Sequence, residues 1–249
     1  MKVILINRLL FFLATAGLIV AGIFFLLLTK NSRALTVYRD REYWEKTGDI
    51  VWEVKTGEKK LALTFDDGPN PTFTERVLDL LARYNARATF FVIGSRVEIY
   101  PDIISRQFRE GHEIGNHTYL HREVNRMSEA ELREDLYRAH LAVYDIIGED
   151  MRVFRPTSGF YNETIVRVAK TLNYEVVIWT WGQDSRDWTV VSGETIAHKI
   201  INTVKPGDII LFHDQGGDRS NTLQALRIIL PVLQERGYSF VTVSELLKE

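Results

Sequence analysis

The chain has 249 residues, 45% of them hydrophobic and 26% charged, which is enough for one large domain or two small ones. A formal net charge of −2 does not favour nucleic acid as a partner. The absence of cysteine from the sequence excludes disulfide bonds, thiolate metal sites and cysteine nucleophiles.

The N-terminal region contains an uncharged apolar stretch, residues 9–28, preceded by Lys2 and Arg8. As a helix, a stretch of this length would be about 30 Å long, which is the thickness of the hydrocarbon core of a bilayer. A cleaved signal peptide usually has a shorter apolar region and a small-x-small cleavage site, and no clean site follows this stretch. We therefore expect residues 1–29 to be an N-terminal transmembrane anchor, with a cleaved signal segment as the alternative.

The segment after this stretch, residues 30–48, carries mixed charges and is expected to form a juxtamembrane stem. The main domain is expected at residues 49–249. Its first strand, at residues 50–54, is predicted to turn back at Thr56-Gly57-Glu58 into the strand that ends at Phe65, forming a hairpin.

Beyond the hairpin, predicted strands and helices alternate. Two capping boxes, Thr72 with Glu75 and Ser128 with Glu131, are predicted to begin helices. The predicted strands cover residues 88–93, 112–115, 152–155, 175–181, 208–212 and 239–243, and the predicted helices cover residues 72–83, 101–109, 128–147, 162–172, 193–202 and 222–236.

This alternation predicts an α/β fold with parallel strands. The strands at residues 88–93, 175–178 and 209–212 are apolar throughout, as strands buried on both faces of a parallel sheet are. About seven such units favour a (β/α) barrel over an open sheet. In barrels of this kind, catalytic groups lie at the C-terminal ends of the strands. Ionisable residues follow five different predicted strands: Asp66 and Asp67, His117, Arg155, Asp184 and Asp187, and His213.

The spacing of His117 and His121 predicts two imidazoles on one face of a helical turn. Together with one carboxylate they would form a two-His-one-carboxylate site that leaves a position for water. Catalytic zinc sites have this layout, although iron and other divalent ions also use it. The alternative is a pair of surface histidines without a metal.

The neighbouring acids Asp66 and Asp67 should point in different directions, because adjacent residues of a strand face opposite sides. One can then bind the metal while the other faces the water as a general base. The alternative is that one of them only caps the turn at Gly68.

Other candidates are His213, which could protonate a leaving group if Asp187 or Asp184 orients it, and Arg155, which would hold a neighbouring aspartate ionised. Trp181 and Trp188 could be platforms for sugar rings or parts of the core.

Five segments, in this order, resemble the polysaccharide deacetylases, the carbohydrate esterases with a NodB-like domain. The resemblance covers about residues 58–247 and implies a distorted (β/α) barrel with a zinc-type divalent metal. The segments are Thr-Phe-Asp-Asp-Gly-Pro at 64–69, His-Thr-Tyr-Leu-His at 117–121, Arg-Pro-Thr-Ser-Gly at 155–159, Asp-Ser-Arg-Asp-Trp at 184–188 and Leu-Phe-His at 211–213.

The resemblance implies that Asp67, His117 and His121 bind the metal. It also implies that Asp66 is the general base and that Arg155 holds it in place. Zn²⁺ is the expected ion, with Co²⁺ or Ni²⁺ as alternatives.

The same resemblance implies that His213 is the general acid and that Asp187 orients it. Leu211 would line the pocket for the acetyl methyl group, and Trp188 would form a wall of the groove. A backbone N–H near Ser158 would stabilise the oxyanion. The family often has a proline and an aromatic residue where this chain has Thr157 and Ser158, and this departure is expected to alter the groove wall and with it the substrate preference.

The function expected from the resemblance is removal of N-acetyl groups from peptidoglycan N-acetylglucosamine by an enzyme anchored in the cell membrane, with its catalytic domain outside the cell. If the N-terminal segment is cleaved, the enzyme would be secreted. Chitin or poly-N-acetylglucosamine is the alternative substrate. A catalytically inactive wall-binding protein on the same fold is the alternative from another functional class.

Overall fold

A computed structural model describes residues 39–249 of the protein. The expected N-terminal anchor and most of the expected stem lie outside the described residues. Within residues 39–249, no helix has both the length and the apolar character needed to cross a bilayer.

Within the described part of the chain, eight strands pair in parallel, in the order β1-β6-β5-β4-β3-β2-β7, with β8 beside β2. The strands are β1 (Ile50–Val51), β2 (Lys60–Asp66), β3 (Ala88–Val92), β4 (Glu113–Asn116), β5 (Val153–Phe154), β6 (Glu175–Val177), β7 (Ile209–His213) and β8 (Ser239–Phe240).

Helices connect most of these strands, and two 3₁₀ turns, Val124–Arg126 and Thr157–Gly159, follow β4 and β5. The helices are α1 (Arg41–Thr47), α2 (Phe73–Arg83), α3 (Gly94–Val97), α4 (Pro101–Arg109), α5 (Glu129–Ile147), α6 (Glu163–Thr171), α7 (Gly193–Thr203), α8 (Ser220–Glu235) and α9 (Val243–Leu246).

The sheet closes between the chain after β6 and strand β7. The backbone N–H groups of Thr180 and Ser185 donate to the carbonyls of Ile209 and Leu211 at 3.0 and 3.1 Å, and Leu211 donates to Gln183 at 3.0 Å. These bonds come from an irregular segment rather than from a regular strand. The fold is therefore a distorted barrel of parallel strands, and the predicted α/β barrel architecture is confirmed.

The predicted hairpin is wrong. Ile50 aligns in parallel with Val176 of β6, not antiparallel with β2. After β1 the chain runs past the start of β7, where Val54 donates to the carbonyl of Gly207 at 2.9 Å. A turn motif between two apolar segments reports a local change of direction. It does not identify the strand that each segment pairs with.

One of the two predicted capping boxes is present. At the start of α5, the Ser128 hydroxyl accepts from the N–H of Glu131 while the Glu131 side chain accepts from the N–H of Ser128. Thr72 caps nothing with its side chain at the start of α2. The side-chain oxygen of Asn70 accepts from the N–H groups of Thr72 and Phe73 instead, and Glu75 pairs with Arg106 of α4. Asn70 competes successfully because an Asx turn offers the same acceptor earlier in the chain.

Alternation along the strands divides the core into two layers. Leu61, Leu63 and Phe65 of β2 pack outward in the large cluster beneath the helices. Ala62 belongs to a smaller cluster inside the barrel, together with Phe91, Val153, Val177 and Ile209, and α9 packs against the same cluster. The inward-facing residues are the ones that continue toward the functional site at the upper ends of the strands.

Candidate active site

Strand register brings ionisable groups to one mouth of the barrel. In β2, inward-facing Ala62 is followed at intervals of two by Thr64 and Asp66, and in β7 Ile209 is followed by Leu211 and His213. Asp66 aligns with His213 across the two neighbouring strands. The period of two in a strand therefore accounts for the approach of these groups.

Asp67 reaches the same mouth for a different reason. Regular alternation would send its side chain outward, but its φ of 76° places the backbone in the left-handed region just beyond β2. Its carboxylate Oδ1 lies 3.1 Å from His121 Nε2 and 3.5 Å from His117 Nε2. The two acids thus have different partners, as expected, although a backbone turn is responsible for the position of Asp67.

His117 and His121 also meet without the helical turn that their spacing predicts. They lie in the loop after β4, where Thr118 and His121 have φ values of 70° and 55°. The Thr118 hydroxyl accepts from the N–H of His121 at 3.0 Å. The ring centroids of the two histidines are 5.1 Å apart. Left-handed residues compress the loop, a conformation that sequence spacing does not reveal.

The three side chains Asp67, His117 and His121 fit a divalent metal. Each offers one ligand atom, and these atoms lie within 4.8 Å of one another. In a tetrahedral site with bonds of about 2.0–2.1 Å, ligand atoms are about 3.3–3.4 Å apart. The distances from Asp67 Oδ1 to His121 Nε2 and His117 Nε2, 3.1 and 3.5 Å, are close to this value. His117 Nδ1 lies 2.7 Å from the carbonyl of Arg155. That contact makes Nδ1 the donor and leaves the Nε2 lone pair directed at the site.

Asp66 is held by a fully buried arginine. Arg155 Nη1 donates to Asp66 Oδ1 at 2.8 Å and to the Thr64 hydroxyl at 2.7 Å, and the side chain of Arg155 is 0% exposed. The remaining guanidinium donors bind the carbonyls of Val177 and Ile178. Burial lowers the pKa of Arg155, and the charge of Asp66 opposes that shift. Asp66 therefore keeps a fixed orientation, with Oδ2 left 3.9 Å from His117 Nε2.

His213 pairs with Asp187, and the structure decides against Asp184 as its partner. His213 Nδ1 lies 2.8 Å from Asp187 Oδ1, and its N–H donates to Oδ2 at 2.8 Å. The Asp184 carboxylate accepts from the N–H of Arg186 instead. Burial alone would lower the pKa of His213, but the hydrogen bond and charge of Asp187 raise it to about 8. His213 is therefore suited to donate a proton at neutral pH through the other nitrogen, Nε2.

These groups surround a cleft of about 420 Å³. Of the predicted site residues, Arg155 and Asp187 lie behind its wall and hold Asp66 and His213. The others line it directly, and so do Trp179 and Asp184: Asp66, Asp67, His117, His121, Ser158, Trp179, Asp184, Trp188, Leu211 and His213. Trp188 is 57% exposed, whereas Leu211 is buried at the cleft wall.

Asp214 is a site residue that the sequence reasoning missed. Its carboxylate lies directly against Gly68, where a Cβ atom would stand 2.5 Å from it, and Thr74 donates to it at 2.5 Å. Burial raises the pKa of Asp214 to about 7. It supports the turn that carries Asp66 and Asp67 from behind. In the sequence, only its position directly after His213 could have indicated that Asp214 lies near the site.

Comparisons with known proteins give a consistent result. The family model "Polysaccharide deacetylase" matches residues 53–177. A peptidoglycan-N-acetylglucosamine deacetylase of Bacillus cereus is 46% identical over 208 residues, which cover 84% of this chain and 97% of that protein.

Solved structures agree with this match. The crystal structure of a peptidoglycan N-acetylglucosamine deacetylase superposes with a TM-score of 0.80 at 33% identity, covering 84% of this chain and 97% of the other. A family 4 acetyl xylan esterase from Clostridium thermocellum, solved with a cobalt ion, gives a TM-score of 0.71 at 38% identity, covering 76% and 91% of the two chains.

Proposed function

The chain belongs to the polysaccharide deacetylase family, and on that premise we propose that it removes acetyl groups from N-acetylglucosamine in peptidoglycan and releases acetate. It is a metal-dependent hydrolase acting on amide bonds. The observation that carries the choice of substrate is the 46% identity to a peptidoglycan-N-acetylglucosamine deacetylase across 97% of that protein.

Asp67, His117 and His121 would hold the metal, and we propose Zn²⁺, with Co²⁺ or Ni²⁺ as substitutes. When bound, a divalent metal supplies Lewis acidity, which polarises an acyl oxygen and acidifies a water molecule. Two imidazoles and one carboxylate are a donor set that zinc accepts, because a zinc site does not require thiolate ligands.

In this proposal Asp66 is the general base. Its Oδ1 is occupied by Arg155, so Oδ2, on the side of His117, is the oxygen that takes the proton from the attacking water. Arg155 prevents the carboxylate from rotating toward the metal ligands. The tetrahedral oxyanion that forms would accept a hydrogen bond from the backbone N–H at Ser158, which lines the cleft.

His213 is the proposed general acid. Asp187 holds Nδ1, and Nε2 would deliver the proton to the departing nitrogen, so that acetate and a free amino sugar result. Leu211 offers an apolar surface for the acetyl methyl group. Trp188 offers an exposed ring against which a sugar can stack.

We also propose that residues 1–29 anchor the protein in the cell membrane, or are cleaved as a signal segment, and that residues 49–249 act outside the cell. Support comes from the uncharged stretch at residues 9–28 and from the location of a peptidoglycan substrate outside the membrane. Sequencing the N-terminus of the mature protein distinguishes anchor from cleaved signal.

The experiment is an acetate-release assay with and without a chelator. The panel contains peptidoglycan, muramic acid fragments and chitooligosaccharides, and His117→Ala is the matched control that should lose both bound metal and activity. We expect chelator-sensitive release that is fastest from peptidoglycan. Faster release from chitooligosaccharides would favour the alternative substrate. No release from any member by metal-loaded protein would favour an inactive wall-binding protein.

A further inference from the structure

The residue before the first histidine ligand is a buried asparagine with a complete set of partners. Asn116 ends β4 and is 0% exposed. Its side-chain oxygen accepts from the N–H of Thr118 at 2.8 Å, in the middle of the loop that joins His117 to His121. Its amide nitrogen donates to the carbonyl of Leu136 in α5 at 2.9 Å. One amide therefore connects the ligand loop to the helix behind it.

The second donor of this amide leads away from the site. Asn116 Nδ2 also lies 3.0 Å from the hydroxyl of Tyr174, which is buried just before β6. That hydroxyl lies 3.2 Å from His140 Nδ1, and His140 Nε2 lies 3.2 Å from an Asp150 carboxylate oxygen. His140 and Asp150 line a separate cavity of about 520 Å³, on the side where β5 and β6 begin.

Donors and acceptors in this series have a consistent direction. The amide of Asn116 uses its two hydrogens for Leu136 and Tyr174, so the tyrosine hydroxyl accepts from it and is free to donate to His140. When His140 Nδ1 accepts from Tyr174, Nε2 is the nitrogen that donates to Asp150. Hydrogen bonds that share one direction strengthen one another, and leaving a buried member unpaired is costly.

We propose that Asn116 and Tyr174 are positioning residues for the metal: they hold the loop of His117 and His121 in the conformation that binds the ion. The left-handed backbone at Thr118 and His121 is the reason that the loop needs such support, since non-glycine residues rarely adopt this conformation. The inference rests on the metal assignment made above. It adds residues outside the cleft that do not touch the metal or the substrate.

The test is Tyr174→Phe, which removes only the hydroxyl and keeps the ring that packs beside Phe154. Tyr144→Phe is the matched control, because the Tyr144 ring stacks on His140 at 6.0 Å but its hydroxyl is not a member of the series. Zn²⁺ affinity of the metal-free proteins is measured by competition with a chromophoric chelator, and Co²⁺-loaded samples are compared by their d–d absorption spectra.

We expect Tyr174→Phe to bind Zn²⁺ about tenfold more weakly, the lower end of the effect of losing outer support of a metal site, because Tyr174 acts on the ligand loop through Asn116. Its Co²⁺ spectrum should be altered, and turnover should return toward normal at saturating metal. Tyr144→Phe should match the parent protein. Equal affinity and an unchanged spectrum for Tyr174→Phe would overturn the proposal, even if the variant were less heat-stable.

A second variant, Asn116→Asp, keeps the acceptor for Thr118 but replaces both donors, so its affinity for Zn²⁺ should fall further. If it does not fold, Tyr174→Phe still decides the question. Failure of the metal assignment is distinguishable, because the parent protein itself would then not bind Zn²⁺.

Discussion

The two ends of the barrel each hold a histidine beside an aspartate, but the pairs differ in how firmly the carboxylate is held. At the carboxyl ends of the strands, Asp187 lies 2.8 Å from His213 and its side chain is 0% exposed. At the amino ends, Asp150 lies 3.2 Å from His140 and its side chain is 66% exposed.

Surroundings account for this difference. Asp187 also accepts from Thr222, and its own carbonyl accepts from Arg219. A buried carboxylate with fixed partners acts strongly on its neighbour, whereas water and salt screen the charge of an exposed one. The same two residue types therefore form a buried pair with a fixed carboxylate in one place and a pair with an exposed carboxylate in another.

The largest effect should come from removing the proposed general base, Asp66, at the carboxyl ends of the strands. Asp66→Asn keeps the shape and an oxygen for Arg155 but cannot accept a proton, so turnover should fall by about 10³-fold, within the usual range for general base catalysis. Bound metal should stay normal, because Asp66 is outside the ligand set. Acetate release and metal analysis measure the two quantities. Retention of most activity would contradict the assignment of chemistry to this end.

The comparison of the two pairs is tested directly by Asp187→Asn and Asp150→Asn. The pKa of His213 is raised to about 8 by Asp187, and the proposed general acid acts in the protonated form, so activity should decline as pH rises through about 8. In Asp187→Asn the decline should move to lower pH, and the rate should fall by about 10²-fold. Profiles of kcat/KM against pH measure both.

Asp150→Asn is the matched control at the other end. With Zn²⁺ at saturation, its alkaline decline should stay in place and its rate should stay within about twofold of the parent, because Asp150 does not line the cleft. If the alkaline decline moved by the same amount in both variants, the two pairs would not differ in the way described.

The smallest effect should come from Thr222→Val, which removes one donor to Asp187 while the N–H of His213 remains. Stability should fall by about 1 kcal/mol, the typical value of one hydrogen bond. Urea denaturation measures this loss, with Thr72→Val as the control, because Thr72 is exposed and its side chain makes no capping hydrogen bond. A loss no larger than that of the control would show that Asp187 does not depend on Thr222.

Much of the architecture follows from patterns in the sequence. Alternating strands and helices predicted the parallel barrel, and the rule that catalytic groups follow barrel strands predicted Asp66 and His213 at one mouth. Strand β1 was predicted, but its pairing with β6 was not, because a strand of two residues has no period that would indicate its neighbour.

The site was predicted less completely. Left-handed backbone at Asp67, Thr118 and His121 depends on tertiary contacts, so strand alternation and helical spacing both gave the wrong local geometry. Asn116 and Asp214 were missed because the partners of their side chains, Leu136 and Tyr174 for Asn116 and Thr74 for Asp214, lie far away in sequence. A buried polar residue becomes recognisable only when those partners are in place.

The irregular closure of the barrel has a consequence for inactivation. Residues 180–185 pair irregularly with β7 and close the barrel. Asp187 follows that segment and His213 ends β7, so the two residues of the pair lie on opposite sides of this closure. Only a few main-chain hydrogen bonds hold this closure together within the described residues. Regions with few such bonds open locally before the whole protein unfolds. On heating, the protein should therefore lose its activity at a lower temperature than the one at which its helices unfold.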